Sequence, residues 1–158
     1  MFSLGERSAL IALAAELAAR HTGRAAGSDP RREVRARRSR RVLKIQDGCA
    51  GGCTFCIVPR VRGPSRSERP GAVAEELLAL VAAGCREVVL AGIHLGRYGA
   101  DHHPPTTLAA LLAGLAGRGA RLRLSSVEPL EVSPELVARL DDTDGDLCPH
   151  LHLPLQAA

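Results

Sequence analysis

The sequence predicts an α/β domain in which about four parallel strands alternate with three helices, preceded by one helix and a basic linker. Three observations carry that prediction. Runs with a strand period alternate with runs of helical period from residue 42 to residue 155. The helical runs open on Pro or a hydroxyl residue, and the first stops at Gly84, the asymmetry that helix ends favour. Three of the four strands alternate apolar and polar residues, whereas parallel strands covered on both faces are apolar throughout. A barrel-like sheet with a hydrophilic concave face accounts for the alternation. A sheet with helices on one side and water on the other does so equally.

In chain order, residues 3–21 read as an amphipathic helix: Ser3 and Glu6 have capping-box spacing, and Leu10, Leu13 and Leu17 recur on one face. That helix fills a segment 1–22. Residues 23–41, with Gly27, Pro30 and an Arg cluster, read as a linker, and residues 42–158 as the α/β domain. The strands are placed at 42–46, 86–93, 121–125 and 150–155. Lys44 and Gln46 alternate with Leu43 and Ile45; Arg121, Arg123 and Ser125 alternate with Leu122 and Leu124; His150, His152 and Gln156 alternate with Leu151, Leu153 and Leu155. The first intervening helix begins near Pro70 and carries Val73, Leu77, Leu80 and Val81. The second follows Thr106 or Thr107, with Leu108, Leu111, Leu112 and Leu115 at helical spacing. The third has Ser133 as N-cap and Pro134 at its first position.

Composition narrows the function classes. The chain has 158 residues, 46% apolar and only 2% aromatic, so its core is built from Leu, Val, Ile and Ala. No stretch approaches the roughly 20 apolar residues of a membrane span. The apolar run at the N-terminus is broken by Glu6, Arg7 and Glu16, unlike an export signal. The expectation is a cytoplasmic protein without a membrane partner, whose five cysteines are free or metal-bound thiols. The net charge of +4 is local: RREVRARRSRR at 31–41 holds seven Arg and one Glu, a net of +6, which leaves −2 for the remainder. Such a run suits contact with an anion such as RNA, or serves as a solvated linker.

Chemistry concentrates between Leu43 and Ser67. Cys49, Cys53 and Cys56 stand in C-x3-C-x2-C spacing directly after a strand and a Gly. Three thiolates on one loop can surround a small inorganic centre and leave one coordination position open, as an iron–sulfur cluster with an exchangeable iron requires. A zinc site competes, needing Cys85, His94 or Cys148 as fourth ligand. A thiol redox pair at Cys53 and Cys56 is the third reading.

The spacing, with Phe55 before the last Cys, resembles the signature of the radical S-adenosylmethionine enzymes. KIQDGC, CTFCIVP, RGPSRS, GIHLGRYG, RLSSVEPLEV and HLHLPLQ together resemble the tRNA methylthiotransferases, in particular the branch acting on N6-threonylcarbamoyladenosine at position 37. The sister branch for isopentenyladenosine typically has Gly-Gln-Asn where this chain has Gly92-Ile93-His94. The resemblance, from about Arg41 to Gln156, implies a partial (β/α) radical-SAM barrel, a [4Fe–4S] cluster held by Cys49, Cys53 and Cys56, and S-adenosyl-L-methionine on the fourth iron. It also implies an electron donor, and a deoxyadenosyl radical that activates C2 of the tRNA adenine for methylthiolation. By the same resemblance Phe55 contacts the cofactor's adenine, Gly92 lies near its amino group and His94 faces the cavity. Ser125, Glu128 and Gln156 are candidates for ribose or substrate, and Arg60, Arg62 and Arg66 for tRNA phosphates. Ordinary packing or solvation accounts for each of these side chains as the alternative.

The chain also departs from the family pattern. Family members carry three further cysteines for a second cluster in an N-terminal domain, six barrel strands and an RNA-binding β-barrel. Here 48 residues precede Cys49, none of them Cys, and the motifs stop at the fourth strand. The expectation is an internal fragment, with residues 1–22 a remnant of the auxiliary domain, marginal in stability on its own and without complete methylthiotransfer. A cluster- or zinc-binding fragment without catalysis is the alternative function.

Overall fold

The computed structural model of the chain describes residues 40–142 and 145–155. The helix expected at 3–21, the linker up to Ser39, and Gln156 lie outside the described residues. Three strands form a parallel sheet: β1 (Arg40–Lys44), β4 (Glu87–Ala91) and β5 (Arg121–Leu124), in the order β1–β4–β5. Two short strands, β2 (Gln46–Asp47) and β3 (Arg66–Ser67), pair antiparallel beside it. The helices are α1 (Val58–Arg62), α2 (Pro70–Ala82), α3 (Leu108–Leu115) and α4 (Pro134–Asp141).

Register explains the two faces of the sheet. Leu43, Leu90 and Leu124 align across the three strands, all buried. With Val88 and Leu122 they meet Val73 and Leu77 of α2, Leu108, Leu111, Leu112 and Leu115 of α3, and Leu136 of α4 in one core. The next row, Val42, Val89 and Arg123, lies on the other face, where Val42 is exposed. There Glu87 Oε1 accepts from Arg40 Nε at 2.7 Å and from Arg123 Nε at 2.9 Å. The alternation read from the sequence is therefore real for β1 and β5: helices cover one face, and the other carries Arg40, Lys44, Glu87 and Arg123 together with Val42 and Val89.

Helix ends follow their local chemistry. Thr107 Oγ1 accepts the N–H of Ala110 at 3.1 Å, and Ser133 Oγ that of Leu136 at 3.2 Å. Each satisfies one of the donors left free in a first helical turn. Pro70 and Pro134 stand where their missing N–H costs nothing, and Gly84 follows α2 with φ of 85°.

Four expectations are corrected. Arg40 and Arg41, assigned to the linker, open β1. The strand expected at 42–46 breaks at Ile45, and Gln46 is buried rather than on the polar face. The segment expected as a fourth strand, 150–155, forms no ladder. The chain meets β5 through isolated parallel bridges, Leu122 with Leu147 and Ser126 with His152. Pro149 just before this segment and Pro154 within it have no N–H to donate, which disfavours a continuous ladder. The α1 helix, inside what reads as loop, was not expected; Pro59 in its first turn favours it.

Candidate functional site

The cysteine loop rises from the C-terminal end of the sheet on a narrow base. Gln46 and Asp47 on the way out pair with Ser67 and Arg66 on the way back. Just above, the Cys49 N–H donates to Gly63 O at 3.1 Å. Gly48 has φ of 70°, and a Cβ there would run into the backbone of Gly63 and Pro64, so glycine is required for this closure. Asp47 accepts from Lys44 Nζ at 2.9 Å and from the Gly48 N–H at 2.8 Å. These bonds, with Arg62 nearby, hold its carboxyl below the usual range.

The loop faces the residues that follow β4. Cys49 Sγ lies 3.4 Å from His94 Nδ1 and accepts the Gly51 N–H at 3.2 Å. His94 Nε2 lies 2.8 Å from Glu131 Oε1, with Arg97 Nε at 3.8 Å from the same oxygen. Burial pushes the Glu131 carboxyl up, against the opposing pull of His94 and Arg97, and its buried Oε2 has no partner among the described residues. His94, Arg97 and Glu131, with Ala50, Gly51, Pro64, Ser65, Ala100 and Asp101, line a cavity of about 380 Å³. Its rim is fastened by Asp101, which accepts the Ser67 hydroxyl at 2.6 Å and the Ser67 N–H at 2.8 Å. Buried Tyr98 donates to Glu68 O at 2.6 Å.

The structure brings some of the predicted residues together and leaves others apart. Cys49 and His94 meet. Gly92 lies one residue past β4, where a Cβ would stand 2.8 Å from Gln46 Oε1, so its neighbour here is the Gln46 side chain. Ser125 follows β5 directly; its N–H donates to Leu90 O at 3.0 Å and its buried hydroxyl has no partner among the described residues. Glu128 stands just before the short turn at Pro129–Glu131, with no cap bond from its side chain among the described residues. Cys53 is exposed, and Phe55 is 82% exposed, away from any core. Arg60 and Arg62 project from α1 and Arg66 from β3, all exposed. Arg66 donates to Arg62 O at 3.3 Å, and Arg62 pairs with Asp47 at 3.7 Å. Gln46, Glu131 and Asp101 are site residues that the sequence reading did not single out. Gln46 and Glu131 do fall inside the motifs KIQDGC and RLSSVEPLEV.

The donor chemistry separates the five cysteines. None of the five is in a disulfide; Cys85 and Cys148 are buried, whereas Cys49, Cys53 and Cys56 share one loop and keep contact with solvent. Cys85 donates to Glu87 O at 3.1 Å, at the opposite end of β4 from His94. The loop thiols fit a cluster in kind and access. Among the described residues no three His, Cys, Asp or Glu side chains are gathered into a metal-binding group.

Residues 43–158 match the model of the radical SAM superfamily. The chain belongs to that superfamily. Radical SAM membership implies a [4Fe–4S] cluster and S-adenosylmethionine as cofactors. Among curated proteins, this radical SAM chain is 43% identical over 123 residues to the threonylcarbamoyladenosine tRNA methylthiotransferase MtaB of Bacillus subtilis (strain 168), covering 76% of this chain and 27% of the relative. It is 38% identical over 118 residues to the ribosomal protein uS12 methylthiotransferase RimO of Desulfosudis oleivorans, covering 73% and 27%. It is 41% identical over 119 residues to a tRNA-2-methylthio-N(6)-dimethylallyladenosine synthase of Nitratidesulfovibrio vulgaris (strain DP4), covering 73% and 26%. The chain spans about a quarter of the length of these relatives. No helix among the described residues is long and apolar enough to cross a membrane.

Proposed function

We propose that this chain holds one [4Fe–4S] cluster through Cys49, Cys53 and Cys56 and serves methylthiolation of tRNA at C2 of N6-threonylcarbamoyladenosine 37. The observation that carries the reading is the loop itself: three free, accessible thiols on one excursion, with Cys49 against His94 beside a cavity at the strand ends. When bound, the cluster supplies the electron that cleaves S-adenosylmethionine reductively. The choice of nucleoside rests on Gly92-Ile93-His94 and on the printed name of the Bacillus relative. The three relatives are too evenly similar, at 38–43% identity, to decide it alone.

In this reading the sheet is the first part of a (β/α) barrel whose polar face receives substrate. Gly92 lets backbone approach the cofactor's amino group, Phe55 turns onto its adenine when the loop closes, and Ser125, Glu128 and Gln156 lie near ribose or substrate. Arg60, Arg62 and Arg66 contact tRNA phosphates as a cationic group beside the loop. An electron donor is required. Residues 1–22 correspond to an auxiliary-domain remnant and 23–39 to a linker.

Anaerobic reconstitution with iron and sulfide tests the assignment. The expected result is about four irons per chain, abolished by Cys53→Ala, with S-adenosylmethionine cleaved on reduction. One zinc would support instead a zinc-binding module without catalysis, and no metal an inert fragment. Methylthiolation of tRNA lacking the threonylcarbamoyl group would refute the nucleoside assignment.

A further inference from the structure

We infer that Gln46 is a positioning residue that sets Cys49 against the Gly92–His94 turn. Those are the two backbone segments that, in the proposed function, hold the cluster and the amino-acid end of S-adenosylmethionine. The inference rests on that reading and adds a residue to it.

Gln46 is 1% exposed and is the single buried polar or charged residue among those described. Its neighbour Ile45 is fully buried, so an apolar side chain would fill such a place at no desolvation cost. The amide is instead used at every polar atom. Nε2 shares its two hydrogens among three acceptors, Gly48 O at 2.8 Å, Ser65 Oγ at 2.8 Å and, more distant, Asp47 O at 3.1 Å. Oε1 accepts the His94 N–H at 2.8 Å. The orientation is fixed by its partners: a flipped amide would set its oxygen against two carbonyls and its NH2 against an N–H.

These four bonds join three pieces of chain: the way into the cysteine loop, the way out of it, and the turn after β4. The fit is also steric. A side chain at 92 would place its Cβ 2.8 Å from Gln46 Oε1 and 3.0 Å from Gln46 Cβ, so Gln46 and Gly92 divide one volume between them. His94 is thereby held at its backbone by Gln46 and at its ring by Glu131, and its other ring nitrogen reaches Cys49 Sγ. If the amide goes, the sheet and core remain, but nothing else in this set of contacts ties the His94 backbone to the cysteine loop.

Gln46→Met keeps length and volume and removes all four bonds. Two readouts separate positioning from stability. In the metal-free chain, exchange of the His94 amide, whose acceptor is the Gln46 side chain, should accelerate at least about tenfold. After reconstitution, the variant should retain its iron. The change in the reduced cluster's electron paramagnetic resonance spectrum on adding S-adenosylmethionine should need about 10–100-fold more of it. Leu111→Ala, a core truncation in α3, serves as a control that lowers stability and should leave that titration at the wild-type position. Should Gln46→Met fail to fold, Ser65→Ala removes one acceptor and should shift the titration in the same direction by less. A wild-type titration in Gln46→Met, or in Ser65→Ala where that is the variant that folds, would overturn this inference alone. So would an equal shift in Leu111→Ala. A wild-type chain that assembles no cluster would overturn the proposed function and this inference with it.

Discussion

Gly48→Ala should damage the base of the cysteine loop through two independent costs. The residue has φ of 70°, where an L side chain pays about 1–2 kcal/mol against glycine. The added Cβ would strike Pro64 O and lie 2.8 Å from Gly63 O and from Pro64 C. All three atoms are backbone, so no rotamer change relieves the contact and the two sides of the loop must part. Parting them breaks the Cys49 N–H to Gly63 O bond, worth about 0.5–1.5 kcal/mol. The sum is about 2–3 kcal/mol, or a fall in Tm of roughly 4–12 °C for a chain of this size. Gly52→Ala, in the same loop, meets nothing within 4 Å and should stay within about 0.5 kcal/mol of wild type. Urea unfolding followed by far-UV circular dichroism measures both. An unchanged midpoint for Gly48→Ala, or an equal loss for Gly52→Ala, would refute the reasoning.

Two further outcomes follow from the description of the sheet and helices. The Glu87 carboxyl is held below its usual range by the hydrogen bond from Arg123, against some desolvation and with help from Arg40. A lowered pKa contributes stability above the unfolded value near 4.5 that is lost as pH falls through the folded value. Glu87→Gln should therefore cost under about 1 kcal/mol at neutral pH, and the difference from wild type should vanish in acid; a difference that grows in acid contradicts the assignment. Ser133→Ala should cost about 1 kcal/mol by freeing the Leu136 N–H, and Ser133→Asp should restore most of it. Thermal melts of the three proteins decide that comparison.

Local chemistry was the readable part of this fold. Pro70 and Gly84 bracket α2, and Thr107 and Ser133 cap α3 and α4, because each acts on backbone groups within a few positions of itself. The alternation in β1 and β5 was legible for the same reason, since a side chain's face depends only on its parity in the strand. The three cysteines announced themselves by spacing. Gln46 was misread because parity placed it on the polar face, while the chain actually leaves β1 at Ile45 and starts a second ladder with Ser67, far away in sequence. Glu131 and Asp101 went unnoticed because their roles depend on His94 and Ser67 arriving from other loops. The strand expected at 150–155 shows alternation outvoted by proline, whose missing N–H no pattern of leucines can replace.

The narrow base of the cysteine loop has a consequence for how a ligand is captured. The β2–β3 ladder, the Gly48 closure and the Gln46 amide bring the two feet of the excursion together before anything binds. The entropy of closing that ring is thus already spent in folding, leaving only the short arc from Ala50 to Ile57, ahead of α1, to be ordered by a guest. Cys53 and Phe55 lie on that arc and are exposed, so they can swing inward without disturbing the sheet. Capture becomes a local rearrangement on a rigid stem, and its energetic demand is set by about eight residues rather than by the domain.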